Sequence, residues 1–133
     1  MQLAQLAKSY KSVAVTTAPP GQLVLMLYDG ALRFMSAAKL GFNETNIAKR
    51  IETVHNNLLK AQNILRELQC SLDMKGGGEF STRMFALYDF MMVQLREANM
   101  KKQPEPIEVV ERLLGEIRNA WAQMLEKSTT QAA

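Results

Sequence analysis

Apolar residues recur along this chain in steps of three and four, the spacing of one face of an α-helix. Four clusters of helix-breaking or turn-forming residues interrupt the pattern, at residues 18–21, 41–46, 76–78 and 103–106. The stretches that follow these breaks predict four helices, near residues 20–39, 44–72, 79–101 and 105–127. Asn43 or Asn46 can cap the second helix.

The second and fourth segments show the clearest core pattern. In the second segment the expected core positions are Ile47, Ile51, Val54, Leu58, Ala61, Leu65, Leu68 and Leu72. In the fourth they are Ile107, Val110, Leu114, Ile117, Trp121 and Met124. Since no segment alternates with a period of two and the connections are short, we predict an all-α fold, an antiparallel up-down four-helix bundle.

A short extra N-terminal helix is predicted before this bundle, since Leu3, Leu6, Ala7 and Tyr10 form an apolar stripe. The β-branched residues at 13–17 favour extended backbone after it. We therefore predict a single domain over residues 1–133. Its first part, residues 1–18, is an amphipathic segment and tether, and residues 128–133 form a disordered tail.

The third segment has more apolar residues than one core face needs. Its expected core positions are Met84, Leu87, Tyr88, Met91, Leu95 and Ala98. That choice leaves Phe85, Phe90, Met92, Val93 and Met100 outside the core stripe. A helix that is apolar on several faces in a small protein needs a further partner.

The first segment shows a milder excess of the same kind. Its expected core positions are Val24, Leu27, Ala31, Phe34 and Ala38. Leu25 and Leu32 then form a second stripe, and Met26 falls among polar positions. The surplus faces could be covered by the N-terminal helix, by a second copy or by another protein. Flexible methionine side chains, of which the chain has 9, suit surfaces that adapt to apolar helices.

Composition and charge narrow the classes of partner. Apolar residues make up 47% of the 133 residues, which excludes disorder by composition. The net charge of +3 comes from scattered lysines and arginines, so we expect no nucleic-acid partner. Without an uninterrupted apolar stretch of 18 residues we expect no membrane insertion. A single cysteine and no signal-peptide pattern favour the cytoplasm.

Candidate chemistry is weak in this sequence. Glu52 and His55 match the Glu-x-x-His element of di-iron bundles, but His55 is the only histidine and such a site needs two elements. Cys70 has no second cysteine to complete a zinc site or disulfide. The glycines at 76–78 lack the following lysine of a phosphate-binding loop. We expect no catalytic residues, no metal and no cofactor; stoichiometric metal would revive a metal-dependent bundle enzyme.

Several short motifs in order resemble one family, the flagellar secretion chaperones of the FliS type. The resemblance covers about residues 8–125, and its main motifs are Tyr10, Thr17–Pro19, Met26–Ala31, Lys60–Leu65, Leu87–Met91, Glu108–Val110 and Trp121. It implies a chaperone that binds the disordered C-terminal region of flagellin as short helices in apolar grooves and so prevents premature polymerisation. It also implies delivery to the flagellar type III export gate, with Tyr10 contacting the gate.

The surplus apolar positions supply the predicted flagellin contacts. These are Leu25, Met26, Leu32, Leu59, Ile64, Phe85, Phe90, Met92 and Val93. We expect a monomer or weak homodimer. The alternative is a structural homodimer or adaptor that uses the same surplus face.

Overall fold

The computed structural model describes the backbone of residues 20–132 and the side chains of residues 21–128. Its four helices are α1 (Pro20–Gly41), α2 (Ile47–Cys70), α3 (Gly78–Lys101) and α4 (Glu105–Ala132). No strand occurs within residues 20–132. The all-α prediction is therefore confirmed, and the four helices lie close to their predicted bounds. The predicted N-terminal helix and tether, residues 1–18, lie outside the described residues.

Local chemistry explains where the helices begin and end. Pro20 is the first residue of α1, where its missing N–H is no loss. Asn46 caps α2, since its side-chain oxygen accepts a hydrogen bond from the backbone N–H of Lys49 at 3.0 Å. Gly78 begins α3 with φ at 59°, a conformation that glycine adopts without steric cost. Lys102 ends α3 with φ at 53°.

The end of α4 differs from the prediction. The helix continues to Ala132, so the backbone of residues 128–132 is helical where a disordered tail was expected. This stretch, Ser128-Thr-Thr-Gln-Ala, contains neither proline nor glycine, so nothing in it stops a helix that is already formed. Ala133 lies outside the described residues.

One apolar core lies between the four helices. Contacts join α1 to α2, α2 to α3, α3 to α4 and α4 back to α1. Its fully buried members include Val24, Tyr28, Ala31, Met35, Ala38, Val54, Leu58, Ala61, Leu65, Leu68, Tyr88, Met91, Leu95, Ala98, Ile107, Val110 and Leu114. Close approach of α1 and α2 requires glycine at Gly41, because a Cβ there would lie 2.9 Å from Cγ2 of Thr53.

The predicted core of α2 is correct from Val54 onward and wrong at its start. Ile47 and Ile51 are exposed although they continue the apolar stripe. The reason is helix length: His55 of α2 lies against Asn99, and α3 ends at Lys101. The first turns of α2 therefore extend past the end of the helix that would cover them. Met124 of α4 is also exposed, against the prediction.

The core face of α1 is rotated from the one that the sequence predicted. Tyr28 and Met35 are fully buried, while the expected core residues Leu27 and Phe34 are only partly buried. The Tyr28 hydroxyl forms a 2.8 Å hydrogen bond with the Tyr88 hydroxyl across the core. Burial raises the pKa of Tyr28 above the ordinary tyrosine value, so it stays protonated. Because this bond satisfies the Tyr28 hydroxyl, α1 can bury Tyr28 in the core, whereas its helical periodicity favoured Leu27 and Phe34 as core residues.

The buried tyrosine pair gives a testable prediction about coupling. Tyr28→Phe should lower the free energy of unfolding by about 1–2 kcal/mol, because it deprives the buried Tyr88 hydroxyl of one hydrogen bond. The double variant with Tyr88→Phe should lose less stability than the sum of the two single variants. In each single variant one hydroxyl loses its partner in this bond, whereas in the double variant both hydroxyls are absent. Urea denaturation of the four proteins measures this. Additive costs, within about 0.5 kcal/mol, would show that the hydrogen bond contributes nothing specific.

Candidate binding surface

Large apolar side chains remain exposed on all four helices and in the connection between α2 and α3. Among the described residues they are Met26, Leu40, Ile47, Ile51, Leu59, Met74, Phe80, Phe85, Phe90, Val93, Met100, Val109 and Met124. Single exposed apolar residues are common on protein surfaces, so only exposed apolar residues that share one continuous face indicate a binding site.

The outer face of α3 has such a continuous set. Ala86, Phe90, Val93 and Met100 follow one another in steps of four, three and seven residues, and all are exposed. Phe90 is 44% exposed, Val93 42% and Met100 74%. This α3 outer stripe lies on the other side of the helix from its buried core residues. Because the same period also defines the core seam, the stripe has the geometry to receive one more helix.

One charged residue interrupts the α3 outer stripe. Glu97 lies between Val93 and Met100, and its carboxylate accepts a 2.7 Å hydrogen bond from Lys101 one turn later. That contact lowers the pKa of Glu97, so the carboxylate is ionised at neutral pH. The stripe is therefore apolar over Ala86–Val93 and mixed towards the end of the helix.

The seam between α2 and α3 is held by side-chain hydrogen bonds spaced seven residues apart on both helices. Three rungs form it: Asn99 Nδ2 to His55 Nδ1 at 2.9 Å, Gln62 Nε2 to Met92 O at 3.2 Å, and Gln69 Nε2 to Phe85 O at 3.1 Å. Gln69 also donates to the Asp89 carboxylate at 2.9 Å. Side chains of α2 that reach the backbone of α3 bring the two helices close together, which closes this seam.

The closed seam corrects the sequence prediction at Met92. Met92 is 8% exposed and belongs to the core, whereas it was expected to project beside Phe85. A helical-wheel projection assigns each helix a single inward direction, but each helix of this bundle contacts two neighbours. Met92 lies on the side of α3 that faces α2, so it is buried. Phe85, at the edge of the same seam, is 38% exposed.

Leu25 is the second predicted contact residue that the structure buries. It is 9% exposed and shares a face of α1 with Asp29 and Lys39. Both of those side chains pair with α4: Arg118 donates to Asp29 at 2.7 Å, and Lys39 donates to Glu111 at 2.8 Å. The predicted second stripe of α1 is therefore the side that packs against α4.

The remaining predicted contact residues are accessible to different degrees. Met26 and Leu59 are exposed, on α1 and α2 respectively. Leu32 and Ile64 are half-buried and pack against the core. Of the exposed residues, Phe90 and Val93 share one stripe. The structure adds Ala86 and Met100 to it. Ala86 was not among the predicted contacts because alanine is small and only weakly hydrophobic.

The seam between α1 and α4 is charged at its surface. Besides the Asp29–Arg118 pair, Lys39 lies between Glu111 and Glu108, with the Glu108 carboxylate 3.5 Å away. The hydrogen bond to Glu111 raises the pKa of Lys39, which therefore stays protonated. These solvent-facing charges separate this side from the apolar face of α3.

The described part of the chain contains no cluster of side chains suited to binding a metal ion. Residues 20–132 hold no group of three or more His, Cys, Asp or Glu side chains placed to bind a metal ion. His55 takes part in the hydrogen-bonded seam, and Cys70 is a free, exposed thiol. None of the described helices is both long and apolar enough to cross a membrane. Tyr10, the predicted contact to the export gate, lies outside the described residues.

Four helices around one core, with a second apolar stripe on the outer side of α3, define a four-helix bundle protein with one uncovered apolar face. Comparison with known proteins gives the family. The family model described as "Flagellar protein FliS" matches residues 2–128. The chain belongs to the FliS family, and the resemblance drawn from its motifs is confirmed.

Relatives that align with most of the chain carry the name "Flagellar secretion chaperone FliS". The one from Salmonella typhimurium is 37% identical, with 98% of each chain covered. The one from Bacillus subtilis is 36% identical over 89% of this chain and 84% of the relative. The one from Vibrio cholerae is 33% identical over 88% of this chain and 86% of the relative.

Proposed function

We propose that this protein is a cytoplasmic export chaperone for flagellin. It binds the disordered C-terminal region of flagellin, prevents premature polymerisation and assists delivery to the flagellar type III export gate, which Tyr10 contacts. Membership of a family whose relatives are named flagellar secretion chaperones supports this role. The observation that carries it is the α3 outer stripe, an apolar face that the protein's own described helices leave uncovered.

The scaffold for this function is an antiparallel up-down bundle. Side-chain pairs between neighbouring helices support that arrangement. As the residue number of one partner increases along its helix, the residue number of the other partner decreases. Asp29 pairs with Arg118 and Lys39 with Glu111. The rungs between α2 and α3 follow the same rule. In such a bundle the outer side of each helix is available to a client along its whole length.

Energetics indicate that the client must cover more than the α3 outer stripe. Fully burying a Phe, Val or Met side chain contributes about 1.5–3 kcal/mol, so Phe90, Val93 and Met100, each already partly covered, would together supply roughly 2–5 kcal/mol. Ordering a disordered client costs about 2–5 kcal/mol or more. The stripe alone therefore only offsets the cost of folding the client.

Additional contacts must then provide the affinity. The exposed residues Met26, Leu59 and Phe85 are the next sites that a client helix would cover, with half-buried Leu32 and Ile64 at the edges. We leave Leu25 and Met92 out of the proposed surface because both are buried. A client that wraps from α3 onto α2 and α1 as short helices fits this distribution.

The test is the affinity of a peptide spanning the C-terminal region of flagellin. Phe90→Glu and Val93→Glu should each weaken binding by at least about tenfold, since each places a charge in the proposed apolar contact. Neither change should lower the melting temperature by more than a few degrees, because both side chains are exposed. Isothermal titration calorimetry and circular dichroism measure the two effects. Gln123→Glu, the same added charge on an exposed position of α4 outside the proposed surface, is the matched control.

Equal affinities in all four proteins would rule out the α3 outer stripe as the client site. The alternative function, a structural homodimer through the same stripe, makes a different prediction. The free protein would then have twice the chain mass in solution, and Phe90→Glu would convert it to a monomer. Light scattering with and without the peptide distinguishes dimerisation from client binding.

A further inference from the structure

A small cavity lies at the end of the structure where α2 begins and α3 ends. It encloses about 240 Å³ and is lined by Phe42, Arg50, Ile51, Val54 and Lys102. Pockets that enclose a whole small molecule usually measure about 300–1,000 Å³. This one is smaller, so it suits a single side chain or the end of a peptide. Its lining combines apolar surface with two cationic groups.

Neither cation of this pocket is neutralised by a carboxylate within residues 21–128. Arg50 donates from Nη1 to the backbone oxygen of Glu44 at 3.3 Å. The Lys102 ammonium donates to the side-chain oxygen of Asn99. Both acceptors, a backbone oxygen and an amide oxygen, are uncharged. Partial burial without a carboxylate lowers the pKa of Lys102. An anion placed between the two cations would relieve that penalty.

The backbone at Lys102 adds an independent indication. Lys102 is the only non-glycine residue with positive φ within the described chain, at 53°, and it caps the C-terminus of α3. Helices usually place glycine or asparagine in this left-handed position, because a Cβ is disfavoured there. A lysine at such a position costs stability, and strained residues of this kind concentrate at binding sites.

Exposed apolar residues surround the same end of the structure. Ile51 forms part of the pocket wall, while Ile47 and Met100 lie on the helix ends beside it, 63% and 74% exposed. The pocket therefore suits an anion that is preceded by apolar side chains.

We propose that this pocket binds the free C-terminal carboxylate of the client, held between Arg50 and Lys102 while the preceding apolar side chain enters the cavity. The charge of the pocket, its size and its apolar wall all fit the end of an apolar chain. This inference rests on the proposed function, because it takes the C-terminal region of flagellin as the client. It adds a fixed end point from which the client extends along the helices.

The test compares two forms of one peptide that covers the C-terminal region of flagellin and ends at its natural last residue. One form has a free carboxylate and the other a C-terminal amide, which lacks the charge. The full-length protein should bind the free acid about tenfold more tightly than the amide, as expected for charged hydrogen bonds. Calorimetric titration at low salt gives both affinities.

Variants of two adjacent lysines locate the effect. Lys102→Gln should reduce the difference between acid and amide and leave the affinity for the amide unchanged, and the double variant with Arg50→Gln should abolish the difference. Lys101→Gln, which removes the same charge from the neighbouring exposed residue, should keep the difference. Lys102→Gly removes the cation and also the backbone strain. It should weaken the preference for the acid without lowering the melting temperature, so unfolding cannot account for that change.

Three results would overturn this assignment. Equal binding of acid and amide by the unchanged protein would show that the terminal charge is not recognised. A preference that persists undiminished in Lys102→Gln, or at all in the double variant, would place the carboxylate elsewhere. If neither peptide binds, the proposed chaperone function fails together with the pocket. Binding of both peptides without preference overturns the pocket alone.

Discussion

Replacing Met92 with glutamate should strongly destabilise the protein, while the same replacement at Phe85 should have little effect on its stability. Met92 is 8% exposed within the core, beneath the hydrogen bond from Gln62 to its backbone oxygen. Burying a carboxylate there without a partner costs about 3–5 kcal/mol or more, a large part of the roughly 5–15 kcal/mol that stabilises a domain. Phe85 lies at the edge of the seam, so a glutamate at that position reaches water and should cost only about 1 kcal/mol.

Thermal melting followed by circular dichroism distinguishes the two variants. Met92→Leu, which keeps volume and polarity nearly constant, is the control and should cost less than about 1.5 kcal/mol. If Met92→Glu melts like the unchanged protein, the seam between α2 and α3 is open in solution and Met92 belongs to the accessible surface after all. In that case the client site would include the seam.

Trp121→Ala should cost the second-largest amount of stability among these variants. The indole N–H donates to the backbone oxygen of Gly21 at 2.9 Å, and the ring meets Tyr28 edge to face with centroids 6.2 Å apart. A fully buried tryptophan truncated to alanine costs about 3–5 kcal/mol. Because Trp121 is only partly buried, about 2–4 kcal/mol is expected. The loss would release the first turn of α1 from α4.

Urea denaturation measures this cost, and the single tryptophan of the chain is its own fluorescent probe. Emission of the folded protein should be shifted to shorter wavelength than that of the unfolded chain. Trp121→Phe keeps ring packing but loses the hydrogen bond to Gly21, so its cost should lie between those of the unchanged protein and Trp121→Ala. An emission maximum at the fully solvated position would mean that Trp121 does not pack on α1.

Apolar spacing and turn residues are sufficient to predict the number of helices, their approximate bounds and most of the core. Proline, glycine and asparagine mark the helix ends through local chemistry, as Pro20 and Asn46 show. The core residues of α2 after Val54 and of α4 up to Leu114 follow from apolar spacing alone. The motifs also indicated the family, since motif order and spacing are properties of the chain. The excess apolar character of α3 was visible too, and with it Phe90 and Val93.

Which surplus residues are accessible depends on how the helices pack, and the apolar spacing along the chain does not reveal it. Met92 and Leu25 are covered because each helix has two neighbours, whereas a helical wheel gives one inward direction. Ile47 and Ile51 are uncovered because α3 ends before it reaches them, a matter of how helices of different length are aligned. The pocket between Arg50 and Lys102 joins residues far apart in the chain. Helical periodicity is local, whereas lateral neighbours and register arise from packing between distant segments, and these determine what a partner can contact.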